Sequence, residues 1–285
     1  MRKVAIIVDS NSGITQKEGK KLGIIVLSMP FFIDGDLYHE DITLTQQEFY
    51  RRLKENADIS TSQPSPADVV GLWKDTLKEY GEIVHIPMSS GLSGSCETAT
   101  ALAEDFDGKV QVINNKRISI TQRQSALEAL HMAEAGKTAA QIKEILEREA
   151  LQASIYLGVD TLKYLKKGGR VTPAAAAIGT VLNLKPVLQI QGEKLDAFAK
   201  VRGWKNAKKT MLDVMKKDLT ERFKDVEVNV MLAHSQEDEE QALEWKREVE
   251  ECFQEYEIYM SPLALSIVCH TGPGVFAIGC AKKLC

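Results

Sequence analysis

The chain has 285 residues, 44% hydrophobic and 27% charged, with a formal net charge of −4 and a pI near 5.8. That length supports one large or two ordinary domains with ample core, and the acidic balance argues against a general nucleic-acid binder. No segment approaches a membrane span and no secretory signal precedes the first strand, so a cytoplasmic protein without stable membrane insertion is expected.

In chain order, residues 3–8 read as a buried parallel strand, apolar from Val4 to Val8. They run into Asp9-Ser10-Asn11-Ser12-Gly13, on the edge where open α/β sheets bind ligands. Asp9 is expected to cap a helix over 15–21, a hydroxyl or metal being its alternative partner. Residues 23–33 and 37–38 flank Asp34-Gly35, a hairpin signal, and an amphipathic helix follows over 45–56. Ile59-Ser60-Thr61-Ser62-Gln63-Pro64-Ser65-Pro66 then reads as extended backbone, with Pro66 opening a helix over 67–80. Thr61 and Ser62 are either capping-loop residues or hydroxyls for a ligand.

Residues 82–87 form a buried strand and 96–105 a helix. Between them lies Met88-Ser89-Ser90-Gly91-Leu92-Ser93-Gly94-Ser95, with Ser95 near the N-cap. Such a loop presents backbone N–H groups at a helix N-terminus, which favours an anion, and its serine hydroxyls add hydrogen bonds without charge. It suits a carboxylate or phosphate, or else is a strand-to-helix turn in which serines cap and glycines permit positive φ.

Beyond it come a strand over 110–114, helices over 125–135 and 139–153, and a strand over 156–160. Alternation of strands and helices predicts a mainly parallel sheet with flanking helices over 1–160. After Lys167-Gly168-Gly169-Arg170 the pattern changes. A small-residue helix runs from the Thr172 cap to Gly179, and a hairpin over 186–201 turns at Gly192-Glu193. Antiparallel pairing marks a second, mixed α/β domain over 161–285. Within it a helix is expected over 205–220, a strand over 226–234, a charged helix over 238–253 and a strand over 258–262. The chain closes through His270-Thr271-Gly272-Pro273-Gly274, read as a stiff Gly/Pro turn that aims an imidazole. The cysteines Cys96, Cys252, Cys269, Cys280 and Cys285 lack C-x-x-C spacing and read as reduced, mostly buried thiols. Neither a metal site nor another cofactor is expected.

Loops centred on Thr61, Ser93 and His270 would, if they converge, form an uncharged pocket for one carboxylate. Charge-assisted hydrogen bonds contribute roughly 1.5–3 kcal/mol each, and a long apolar tail would add about 0.8 kcal/mol per buried CH2. Protonation of His270 would then strengthen binding as pH falls from 8 to 5. A serine hydrolase using Ser93 and His270 is the alternative, but Ser95 replaces the last glycine of G-x-S-x-G and no acid stands in a comparable loop. A dinucleotide enzyme and a phosphate-loop NTPase lack their motifs.

Together Val8-Asp9-Ser10-Asn11-Ser12, Thr61-Ser62-Gln63-Pro64-Ser65, the 88–95 loop, Lys167-Gly168-Gly169-Arg170 and His270-Thr271-Gly272-Pro273-Gly274 resemble the DegV family of bacterial fatty-acid-binding proteins, in order and across nearly the whole chain. The resemblance implies a two-domain α/β protein, not itself an enzyme, that holds one long-chain fatty acid. Thr61, Ser62 and Ser93, with backbone N–H groups of Gly94 and Ser95, would hold the carboxylate. His270 would stand at the same head group, with Arg170 near the entrance. The implied role is the lipid-presenting subunit of a bacterial fatty acid kinase, whose separate ATP-dependent subunit forms acyl phosphate for phospholipid synthesis. Arg202 resembles a position that docks that subunit. A lipid-sensing regulatory protein is a further alternative. The match departs after the fourth strand, where Asn114-Asn115 and Ser119-Ile120-Thr121-Gln122-Arg123 replace an acid and two glycines. A cation at Arg123 would reshape the entrance or the kinase-facing surface.

Overall fold

A computed structural model describes residues 2–178, 183–192 and 194–284. The chain divides into two compact units, Met1–Leu151 with Leu284–Cys285, and Gln152–Lys283.

The first unit opens with β1 (Arg2–Asp9), a 3-10 turn (Ser10–Ser12), α1 (Gln16–Leu22) and β2 (Ile25–Leu27). β3 (Pro30–Ile33) and β4 (Asp36–His39) form the expected hairpin, with Asp34 and Gly35 at φ 53° and 91° as a two-residue turn of this kind requires. There follow α2 (Gln46–Lys54), β5 (Ile59–Thr61), α3 (Pro66–Thr76), β6 (Tyr80–Ile86), α4 (Ser95–Ala103), β7 (Val110–Val112), α5 (Ser119–Glu134) and α6 (Ala139–Arg148). Four parallel strands run in the order β2-β1-β6-β7, and β4-β3-β5 make a small antiparallel sheet.

β1 is apolar from Val4 to Val8 because both faces of its sheet are covered. Val4, Ile6 and Val8 pack with Ala126, Met132, Ile142 and Leu146 of α5 and α6. Ala5 and Ile7 pack with Val69, Trp73 and Ala99 of α3 and α4.

The second unit comprises β8 (Ala153–Gly158), α7 (Lys163–Gly168), α8 (Pro173–Ala176), β9 (Leu184–Ile190), β10 (Asp196–Arg202), α9 (Trp204–Lys217), β11 (Val228–His234), α10 (Glu239–Cys252), β12 (Tyr259–Pro262), α11 (Leu265–Thr271) and β13 (Phe276–Lys282). Its mixed sheet runs β10-β9-β8-β13-β11-β12, antiparallel except for the β11–β12 pair. Helices α9 and α10 cover one face through Met211, Met215, Trp245 and Val249.

Several elements differ from the sequence reading. β8 pairs with β9 and β13, so the division falls ahead of that strand and not at residue 160. The apolar run 23–33 is two strands in separate sheets, and α5 starts at Ser119, six residues before the expected 125. Thr172 caps α8 as expected, whereas Gly179, Glu193 and Cys285 lie outside the described residues. Cys96, Cys269 and Cys280 are buried and Cys252 is exposed. Among the described residues no helix is long and apolar enough to cross a membrane.

Trp245 is fully buried, its indole N–H donating to the Ala277 carbonyl at 3.4 Å. Trp245→Ala is expected to destabilise the protein by about 3–5 kcal/mol in urea unfolding, as truncation of a buried aromatic does.

Candidate functional site

The 88–95 loop leaves β6 at the carboxyl edge of the parallel sheet. Several side chains from neighbouring segments hold it. Asp9 Oδ2 accepts the Met88 N–H at 3.0 Å, and Asn11 Nδ2 lies 2.9 Å from Met88 Sδ. Gln122 Nε2 donates to the Ile86 carbonyl at 3.0 Å, and Ser89 N–H to the Arg117 carbonyl at 2.9 Å. Asn114 Oδ1 accepts the Ser90 N–H at 3.4 Å while its Nδ2 donates to Ser90 Oγ at 2.8 Å.

Inside the loop, the N–H groups of Leu92 and Ser93 both donate to the Ser89 carbonyl, at 3.0 and 3.2 Å, which closes a tight turn. Gly94 is the N-cap of α4 and offers no capping side chain. The backbone N–H groups of Gly94, Cys96 and Glu97 have no acceptor among the described residues, as the first turn of a helix leaves them. Ser93 Oγ accepts the Ser95 N–H at 3.2 Å and so keeps its own proton to give.

Asp9 does not cap α1; the Thr15 hydroxyl does, accepting the Glu18 N–H at 3.1 Å. The 3-10 turn separates Asp9 from that helix, and its carboxylate turns to Met88 instead. A small pocket behind the loop is lined by Asp9, Gln63, Pro64, His85, Ser95 and Thr98 among others. His85 Nε2 stands 3.5 Å from Asp9 Oδ1, both side chains 1% exposed, and the Ser95 hydroxyl is buried here without a partner. Ser95 therefore turns its hydroxyl inward and its N–H to Ser93.

The 61–64 segment lies alongside. Thr61 ends β5 opposite Phe31, half-buried, and the exposed Ser62 hydroxyl donates to the Gln63 carbonyl. Gln63 Oε1 accepts the Thr98 hydroxyl at 3.2 Å and sits 3.5 Å from the place of a Cβ on Gly94. Two of the three expected loops thus meet within the first unit.

The departing residues are spent locally. Thr121 donates its hydroxyl to the Ile118 carbonyl, and Arg123 pairs with Glu18 at 2.6 Å with its side chain 12% exposed. Arg123 therefore does not stand out as an open cation. The sequence did not mark Asn11, His85 and Gln122 as site residues: His85 is one polar residue in an apolar run, and the partners of Asn11 and Gln122 lie far along the chain.

In the second unit His270 belongs to the last turn of α11, ahead of the Gly/Pro turn on which the sequence reading placed it. Arg170 Nη1 donates to the Gly168 carbonyl just beyond α7. A Cβ on Gly168 would fall 2.2 Å from His270 Nδ1, and one on Gly272 would fall 2.4 Å from the Tyr164 ring, so glycines let α7 and α11 seat the imidazole. Burial first, and the Arg170 charge second, push the His270 pKa down to about 4. The ring is thus neutral from pH 8 to pH 5, and the protonation expected to strengthen binding lies below that range. Arg202 ends the edge strand β10, exposed, with its carbonyl accepting from Asn206 at 2.7 Å. Among the described residues no group of three or more His, Cys, Asp or Glu side chains is placed to hold a metal.

The family model described as uncharacterised protein, DegV family, matches residues 3–283. A DegV domain-containing protein of Listeria innocua is 30% identical over 280 residues, 97% of each chain. One of Listeria monocytogenes is 33% identical over 219 residues, 75% of this chain and 77% of that one. Among solved structures, a fatty-acid-binding DegV family protein from Thermus thermophilus has a TM-score of 0.89 at 28% identity, covering 99% of this chain and 100% of that one. DegV, a fatty acid binding protein from Bacillus subtilis, has 0.87 at 26%, with the same coverage. A stearic acid-binding protein from Eubacterium ventriosum has 0.88 at 25%, covering 98% of each.

The depressed His270 predicts a pH dependence of stability. Above pH 6.5 the ring is neutral folded or unfolded; between 6.5 and about 4 only the unfolded chain takes up the proton, so stability falls as pH falls, by at most about 3 kcal/mol. His270→Gln should flatten this slope in urea melts from pH 7 to pH 4. His234, also lowered by burial, keeps its own contribution, so the wild type–variant difference is the measure.

Proposed function

The chain belongs to the DegV family, and we propose that it binds one long-chain fatty acid non-covalently and presents the carboxylate to a separate ATP-dependent kinase subunit. The observation that carries the reading is the start of α4. There the Ser93 hydroxyl, with a proton to give, stands beside backbone N–H groups of Gly94, Cys96 and Glu97. A carboxylate is the complementary group, since its two oxygens accept several hydrogen bonds at once. No acid lies within the loop to repel it.

The solved structures at 25–28% identity that are described as binding fatty acids support the lipid. An apolar layer in the second unit is of the right character for an acyl chain. The strand register sets Ile155 and Leu157 opposite Ile190 and Leu188 on one side and Gly279 and Ala277 on the other, all buried and uncharged.

In this reading Thr61, Ser62, Ser93 and Gly94 hold the head group, and Ser95 acts by polarising Ser93. A neutral His270 donates through a ring N–H, and Arg170 serves the entrance. Arg202, exposed and outside the ion pairs among the described residues, is the docking residue for the kinase subunit. The protein itself forms no covalent intermediate: it desolvates the tail, fixes the carboxylate and leaves phosphoryl transfer to its partner.

Solvent extraction of the purified protein followed by mass spectrometry should recover stoichiometric fatty acid. Thr61→Ala and Ser93→Ala should each weaken retention by roughly tenfold, the loss of one charge-assisted hydrogen bond. An empty extract, still empty after incubation with palmitate and oleate, would sink the lipid reading.

A further inference from the structure

We infer that the first unit binds one internal water molecule between Asp9, His85 and Ser95, and that this water ties the two ends of the 88–95 loop to each other. The strand period brings two of the three groups together. Ile7 pairs with His85 across β1 and β6, and Asp9 lies two residues beyond Ile7, so Asp9 and His85 share the sheet face that α3 and α4 cover. Around them that face is apolar, with Ala5, Ile7, Ile83 and Trp73 in its core. Ser95 opens α4 and lines the same pocket as Asp9 and His85.

Polar groups in such a layer need hydrogen bonds, because a buried polar atom left unpaired is costly. His85 is 1% exposed and Ser95 7%, and neither the two ring nitrogens nor the hydroxyl has a hydrogen-bond partner among the described residues. His85 Nε2 stands 3.5 Å from Asp9 Oδ1, beyond the ~2.7–3.2 Å of an N–H···O bond. The pocket between them has a volume of about 10 Å3, the size of one water, for which ~10–15 Å3 suffices. Such a water needs roughly two to four polar partners. The Asp9 carboxylate accepts one of its protons, while the imidazole and the hydroxyl each give or take and fill its remaining bonds. A metal ion fits less well: Asp9 is the sole carboxylate of the lining among the described residues, and its Oδ2 already accepts the Met88 N–H.

Asp9 thereby holds Met88, the first residue of the loop, and Ser95, its last, gives its N–H to Ser93 Oγ. Asp9 and Ser95 share no direct hydrogen bond among the described residues. A water on both joins the beginning of the loop to its end from behind, and so steadies Ser93 from a place no ligand needs to reach. The site stands whether or not the chain binds a fatty acid.

A high-resolution crystal structure of the whole chain should show one water within about 3.2 Å of Asp9 Oδ1, a His85 ring nitrogen and Ser95 Oγ. A pocket closed by a direct bond between His85 and Ser95, or one occupied by a metal ion, would overturn the inference. Amide hydrogen exchange gives a second reading. Ser95→Ala removes one partner of the water and should speed exchange of the Met88 N–H about tenfold, with the amides of β11 in the second unit unchanged. Met88 exchange as slow in Ser95→Ala as in wild type would leave the two ends of the loop uncoupled and overturn the inference equally. Should Ser95→Ala fail to fold, the wild-type crystal structure decides alone.

Discussion

The candidate site depends first on one hydrogen bond, from the Met88 N–H to the Asp9 carboxylate at 3.0 Å. β1 and β6 are neighbours in the sheet, paired through Val8 and Ile86, so the residues that follow each strand emerge side by side. Asp9 is 1% exposed, and a buried carboxylate needs donors. The first amide of the 88–95 loop supplies one, and that contact sets where the loop begins. Asn11, Gln122, Arg117 and Asn114 then hold the loop from the adjoining segments, so its backbone is fixed by groups that need not touch a ligand.

Charge is handled consistently around it. An anion held without a cation relies on dipoles and hydrogen-bond donors, which act at full strength only when nearby charges are neutralised. Arg117 spends its guanidinium on the Glu149 carbonyl and Ser125 hydroxyl, and Arg123 spends its own on Glu18. In the second unit, burial and the Arg170 charge keep the His270 ring neutral. The direction of each hydrogen bond therefore matters more than net charge. A serine that accepts from a backbone or amide N–H is left as a donor, and a carboxylate asks for donors.

Much of the fold was legible. The unbroken apolar run of β1 marked a strand buried on both faces, and Asp34-Gly35 marked a hairpin because its two residues tolerate positive φ. Boundaries were less so. Residues 23–33 read as one run because apolar character does not say which sheet a residue joins, and only pairing of Ile25 with Ile7 and of Phe31 with Tyr38 separates β2 from β3. The first turn of α5 is rich in polar residues and carries no apolar period, yet Ser119, Thr121 and Gln122 are buried there, Gln122 donating to the Ile86 carbonyl at the end of β6 and Thr121 to the Ile118 carbonyl just ahead of its own helix.

By itself the sequence determined the element types, the hydroxyl-rich loops at strand ends, the absence of acids from the 88–95 turn, and the family to which those motifs belong. These are local properties: composition, period and turn chemistry act over a few residues. The tertiary structure alone decided that Asp9 serves Met88 instead of capping a helix, that Gln63 stands beside Gly94, that Arg123 is paired, and that His270 is neutral. It also decided that Asn114 donates to Ser90. Each of these joins residues far apart in the chain, and a hydrogen bond's partner and direction, like a buried group's pKa, are set by what folding places within about 3 Å of it.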